Sequence, residues 1–273
     1  FIRKKISNKK IIIKNSKIFF RENIDKKDAV AISSIKKSNI FYDNKKKNNK
    51  IIIDGSIFNT QYNLNFLTKI DNQSLTNFQI NFKKLNTLIN NEFIKSSEKL
   101  INSEGVISII FSGSNNTINY EIGDKFILFS SDRASINNQK VFLNGKINTS
   151  PFYYNVYIDL DDINVIKFFK NFSKVKNLLQ NKIFLHNNFN GKIVLNINSL
   201  SGIKLFNKAE INLEFLNGKL VLNNSSMTSN KVGKIIFLDS VIQEKDDKII
   251  FKSKFLFNII NQKQFYQKLQ IPK

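Results

Sequence analysis

The chain has 273 residues, with 43 Lys and Arg against 21 Asp and Glu, a formal net charge of +22. Its 26 Phe residues and 41% hydrophobic content exclude collagen-like, Pro-rich and acidic disordered classes, because so much Phe, Ile and Leu can build a core. With no cysteine and one histidine, the sequence excludes disulfides, thiol nucleophiles, zinc–thiolate and iron–sulfur centres, and multi-histidine metal sites.

The dominant period along the chain is two. Ile51 and Ile53 alternate with Ile52 and Asp54, then Tyr62, Leu64 and Phe66 with Asn63 and Asn65. Residues 83–100 carry Leu85, Leu88 and Ile89 at helical spacing, which predicts a helix there. Ser112-Gly113-Ser114-Asn115-Asn116 reads as a hairpin turn and lacks the spacing of a phosphate cradle. Phe152, Tyr154, Val156, Ile158 and Leu160 then face away from Tyr153, Asn155, Tyr157 and Asp159. Residues 162–180 place Val165, Ile166, Phe169, Phe172, Val175 and Leu179 on one face, so a helix is expected, with Asp161-Asp162 as its cap. Alternation resumes at Ile193, Leu195 and Ile197, at Ile211, Leu213 and Phe215, and at Phe251, Phe255, Phe257 and Ile259. Residues 262–269 predict a short terminal helix before Pro272. Each alternating run is an antiparallel-type strand with one buried and one wet face. Asn, Gly, Asp and Ser separate the runs. Gly55, Gly145, Gly191, Gly218 and Gly233 share a Gly-x-aliphatic step at irregular intervals, which suits a long meander with bends or bulges better than a propeller.

Chemistry has few places to reside. His186 lies between a helix and a strand, without the nucleophile and oxyanion hole that a triad needs, and reads as a loop residue. Asp161-Asp162 reads as a helix cap and Asp246-Asp247 as a hairpin turn, not as a carboxylate pair flanking a sugar cleft. No catalytic residue, metal site or cofactor is therefore expected. Specific nucleic-acid binding is not expected either: Phe152-Tyr153-Tyr154 is the nearest aromatic cluster, and its neighbours Asn155 and Asp159 are neutral or acidic. The positive charge is carried mostly by Lys, which forgoes the bidentate phosphate and base recognition of Arg. It reads as AT-rich codon usage plus solubility, with general attraction to anionic lipid. No apolar run of about 18 residues occurs, so no membrane-spanning helix is expected. The start at Phe1 suggests a piece of a longer polypeptide, with any membrane anchor outside it.

The order of these features resembles the AsmA-like family, bacterial relatives of the TamB and bridge-like lipid-transfer proteins. Ile11 to Asn23 resembles the strand, small turn, strand and short acidic end that open a stretch of that family. Ala31–Tyr42 is similar to the next strand, and Ile51 to Ile57 to the following Gly-x-aliphatic step. Glu104 to Gly113, Val141 to Ile147 and the runs from Phe189 through Ile235 are similar to later steps. The resemblance implies a periplasmic protein anchored to the inner membrane, with a long curved sheet whose greasy concave face conducts or shields phospholipid, or supports outer-membrane assembly.

The fold expected is thus mainly β: one elongated domain over 1–273, a curved antiparallel meander of about 14 strands forming a U-shaped apolar groove, with two or three short helices and helix 162–180 capping the sheet. A single curled sheet leaves a continuous trough, whereas two sheets face to face seal into a sandwich. Candidate groove residues are Tyr62, Leu64, Phe66, Phe152, Tyr154, Val156, Ile158, Ile193, Leu195, Ile197, Phe251, Phe255 and Phe257. Expected partners are a phospholipid or other amphiphile and a membrane. The alternatives are a structural β-rich surface or passenger protein with a closed core, and a nonspecific binder of anionic polymers.

Overall fold

The structure, a computed structural model, describes residues 5–21, 29–58, 60–69, 76–94, 103–111, 114–136, 139–170, 182, 184–203 and 205–269. These residues are mainly β, with 19 strands and two short α-helices. The chain divides into two compact units: Phe1–Ala134 with Lys146–Phe152, and Ser135–Gly145 with Tyr153–Lys273.

In the first unit, nine strands pair antiparallel in chain order. They are β1 (Ile11–Arg21), β2 (Ala29–Asp43), β3 (Asn48–Ile57), β4 (Thr60–Lys69), β5 (Thr76–Phe82), β6 (Thr87–Ile94), β7 (Ser103–Phe111), β8 (Ser114–Ile122) and β9 (Phe126–Ile136). The β2–β3 turn carries Lys45-Lys46-Lys47, and the Asp43 carboxylate accepts the N–H groups of Lys45 and Lys46 at 3.0 and 3.2 Å.

Two expectations are corrected here. Residues 11–21 are one strand rather than strand, turn and strand; the interruption is a kink at Asn15, whose φ is 50°. Asn tolerates this left-handed conformation better than most residues. The helix expected over residues 83–100 is a 3₁₀ turn at Lys83–Leu85 followed by β6; residues 95–100 lie outside the described residues. Asn86, at φ 48°, ends the turn, and Thr87, Asn90 and Asn91 are poor helix formers, so pairing with β5 and β7 wins.

In the second unit, β11 (Phe152–Leu160) pairs parallel with β13 (Gly191–Ile197), which corrects the all-antiparallel expectation. The sheet is mixed because a parallel pair needs a crossover, and residues 161–190 supply it. Antiparallel pairing follows through β15 (Lys208–Leu216), β16 (Lys219–Val221), β17 (Ser226–Ser229), β18 (Gly233–Lys245) and β19 (Lys248–Ile259). Two-residue strands β12 (Ile163–Asn164) and β14 (Leu200–Ser201) form a separate parallel pair, and β10 (Gln139–Thr149) spans the division between units. Short strands such as these, together with β6, raise the number above the about 14 expected from alternation alone.

Helix α1 covers Val165–Lys170, and residues 171–180 of the helix expected over 162–180 lie outside the described residues. Its cap is Asn164, whose Oδ1 accepts the Lys167 N–H at 2.9 Å, rather than the Asp161-Asp162 pair. Asp162 instead accepts the Ser201 hydroxyl at 3.1 Å. Helix α2 (Gln262–Leu269) stands where the sequence placed it and sets the Phe265 ring against Phe257, centroids 5.7 Å apart. Asp246-Asp247 forms the β18–β19 turn, with both residues at positive φ. The loop at Ser112-Gly113 lies outside the described residues. No helix among the described residues is long and apolar enough to cross a membrane.

Candidate functional site

Register decides which side chains share a face. Across the first unit, one row runs Ile13, Ser38, Ile53, Leu64, Ile80, Ile89 and Ile109, one residue from each strand β1 to β7. Two residues along the strands, a second row runs Ile11, Ile40, Ile51, Phe66, Phe78, Asn91, Ile107 and Ile118, from β1 to β8. Eight strands at ~4.8 Å spacing make this row roughly 34 Å long. The opposite face of the same strands is mainly polar, with Lys37, Asp54, Asn63, Asn65, Gln79, Asn81, Asn90, Ser108 and Asn115, interrupted by Ile12, Ile52, Leu88 and Ile110. The sheet is therefore two-sided in chemistry, as the period of two requires.

The apolar rows are not sealed. Ile51, Ile53, Leu64, Phe66, Phe78, Ile80, Ile89, Ile107 and Ile109 are half-buried, and Ile11 and Ile13 are exposed. Among the described apolar residues of this unit, only Ile35, Tyr120 and Ala134 are buried. The N-terminal segment crosses one end of the face: the Ile6 N–H donates to the Asn49 carboxamide at 3.0 Å, and the Lys5 ammonium lies 4.4 Å from the Tyr42 ring centroid. Tyr62 marks the other end. A Cβ at Gly55 would lie 3.1 Å from the Tyr62 ring, so the glycine lets the ring lie across β3 and place its hydroxyl 2.7 Å from the Ser33 hydroxyl.

The second unit is built differently. Its face carries the rows Tyr154, Gly191, Phe215, Leu220, Ile242, Phe251 and Leu160, Ile197, Ala209, Met227, Ile235, Phe257. Tyr154, Leu160, Leu185, Val194, Ile197, Ala209, Phe215, Leu220, Val232 and Ile235 are all buried. An aromatic cluster closes one end. Phe215 is 1% exposed, and its ring centroid lies 5.3 Å from Phe189, 5.4 Å from Phe184 and 6.0 Å from Tyr154. Gly191 again makes room, since a Cβ there would stand 2.4 Å from the Tyr154 ring. Burial pushes the Tyr154 phenol well above its ordinary pKa.

The sequence-derived candidates fall on these faces as follows. Tyr62, Leu64 and Phe66 share the half-buried face of the first unit. Phe152, also in that unit, is half-buried with its ring 6.5 Å from Phe58. Tyr154 and Ile197 are buried in the second unit, and Val156, Ile158, Ile193 and Leu195 are half-buried on the same face. Phe251, Phe255 and Phe257 are 53, 48 and 43% exposed, with Phe255 edge-on to Phe237 at 5.0 Å. Sequence reasoning passed over Phe78, Ile80, Ile107 and Ile109, although Phe78, Ile80 and Phe82 alternate with Asn77, Gln79 and Asn81 as clearly as the neighbouring strand does.

His186 is half-buried in the loop before β13, where its Nδ1 accepts the Asn188 N–H at 3.2 Å and burial lowers its pKa. Among the described residues, no group of three His, Asp or Glu side chains gathers where a metal would sit. No protein-family model, curated protein or solved structure matches the chain.

Proposed function

We propose that this is a non-enzymatic lipid-handling protein of AsmA type, working in the periplasm and tethered to the inner membrane. In this reading it shields or conducts phospholipid acyl chains toward the outer membrane, or supports assembly of that membrane. The observation that carries the reading is the pair of apolar rows across β1–β8, whose described side chains are, apart from Ser38 and Asn91, half-buried or exposed rather than closed into a core. The order of Gly-x-aliphatic steps supports the family. The rows are long enough for an extended acyl chain, and Ile, Leu and Phe line them without making hydrogen-bond demands.

Magnitudes favour this use. An acyl chain of ~16 methylenes gains about 13 kcal/mol on leaving water completely, at ~0.8 kcal/mol each. Lying on a one-sided face it gains roughly half, about 6 kcal/mol. That is enough to hold a tail and small enough to release it.

The test is lipid carried through purification, read by mass spectrometry. Leu64→Arg places a cation at the centre of the first row, where Ile53 and Ile80 flank it. The variant should lose its bound lipid while keeping its far-UV circular dichroism; lipid content equal to the parent protein's rejects the assignment.

A further inference from the structure

The first unit holds a second feature, built mainly from side chains opposite the apolar rows, with Gly55 and Tyr62 of the apolar side at its border. A cleft of about 890 Å³ lies over β1–β5 and the 3₁₀ turn after β5. Its origin is a register change. Lys14 pairs with Lys37 and Ser16 with Ile35, while Ile35 pairs with Gly55 and Lys37 with Asp54, so β2 carries Lys36 as an extra residue relative to β3. Such a bulge bends the strand and brings consecutive side chains to one side. Lys36 and Lys37 both line the cleft, joined by Lys17 from β1 and by Lys83 and Lys84 from the 3₁₀ turn. All five are exposed, and none forms an ion pair with another described residue. The lining contains one acid, Asp54, and its carboxylate accepts the Asn63 carboxamide N–H at 2.7 Å. Asn15, Gln61, Asn63 and Asn81 complete a rim of donors and acceptors.

We infer that this cleft binds a phosphorylated saccharide carrying two or more phosphate groups. Five ammonium groups against one carboxylate leave a formal +4 within one concavity, which suits compact, multiply charged anions. Lysine heads act as point charges and take phosphate oxygens without fixing a plane. The four carboxamides match sugar hydroxyls, which both donate and accept. Tyr62 is the one aromatic residue in the lining, so no pair of rings is available to clamp a base. The concave shape fits a discrete ligand rather than a flat bilayer, and its volume lies within the usual range for small-molecule sites.

The experiment is isothermal titration of the whole chain at about 150 mM NaCl, where loose surface attraction is screened beyond roughly 8 Å. The probes are fructose 1,6-bisphosphate, unphosphorylated fructose, and phosphatidylcholine vesicles doped with either phosphatidylinositol 4,5-bisphosphate or phosphatidylserine. The bisphosphate should bind and fructose should not. The double variant Lys37→Gln/Lys84→Gln should weaken binding roughly tenfold or more. Asp54→Asn keeps a partner for Asn63 and removes the one repulsive charge, so it should tighten binding about threefold. Opposite responses to these two changes separate recognition from damage to the sheet. A control, Lys248→Gln/Lys252→Gln, removes two exposed lysines of β19 in the second unit and should leave binding unchanged. Binding of both the free sugar and the phosphoinositide vesicles supports a soluble or a headgroup source alike; binding of the vesicles alone, still lost in the Lys37/Lys84 variant, assigns the group to a lipid headgroup. Equal affinity for phosphatidylserine vesicles, equal loss in the control, or no binding of either phosphorylated probe overturns the inference.

Discussion

Two phenylalanines, one in each unit, separate a closed core from a face left available to a ligand. Phe215 is 1% exposed and surrounded by three aromatic rings within 6.0 Å, so Phe215→Ala leaves a cavity that neighbouring rings cannot fill. The expected cost is about 4 kcal/mol, from the lost transfer energy plus the void. Phe66 lies on the apolar row of the first unit with Ile51 and Phe78 beside it, and it is only half-buried. Phe66→Ala gives up roughly half of a phenylalanine's burial and leaves no enclosed void, a cost of about 1–1.5 kcal/mol. Equilibrium unfolding in urea, followed by far-UV circular dichroism on lipid-free protein, measures both. Restoring lipid should stabilise the parent protein more than the Phe66 variant, because the ligand binds only the folded face. If Phe66→Ala costs as much as Phe215→Ala, the first unit's face is sealed like the aromatic cluster around Phe215 and the lipid reading fails.

Other outcomes follow from single positions. A Cβ at Gly55 would stand 2.5 Å from the Ser34 carbonyl oxygen, part of the β2 backbone, so Gly55→Ala should lower stability by about 2–3 kcal/mol, read from the urea midpoint. Because burial lowers the folded pKa of His186 and its Nδ1 accepts a backbone N–H, the unfolded chain takes up the proton first as the solution is acidified. Its contribution is complete above the unfolded value near ~6.5 and declines as pH falls from there through the lower folded value. Urea midpoints at about pH 7.5 and about pH 5 should therefore differ more in the parent protein than in His186→Gln; identical differences exclude that role.

Much of the fold is legible because alternation is a direct consequence of a sheet with one dry side. β3, β4, β11, β13, β15 and β19 show it openly, and α2 stands where its period placed it. β6 is hidden because its two faces are mixed. Leu88 stands on the polar side and Asn91 on the apolar side, so Leu85, Leu88 and Ile89 imitate a helical stripe. The parallel pairing of β11 with β13 leaves no local mark, since nothing in either strand's composition records which neighbour runs beside it. Tyr62, Leu64 and Phe66 were readable as one face; the lysine cleft was not, because it arises from a register change between strands and from a turn that brings distant lysines together.

The extra residue at Lys36 also sets how these strands can change length. Because β2 carries one residue more than β3, Ile35 and Ser38 point the same way although three positions apart. Removing a single amino acid elsewhere in the part of β2 paired with β3 would turn every side chain on one side of the gap inside out. Losing Lys36 itself would bring β2 into step with β3 but leave Asn15 of β1, which now stands opposite it, as the extra residue instead. A single-codon deletion at Lys36 would therefore move the irregularity from one side of β2 to the other, and would take one lysine out of the anion cleft.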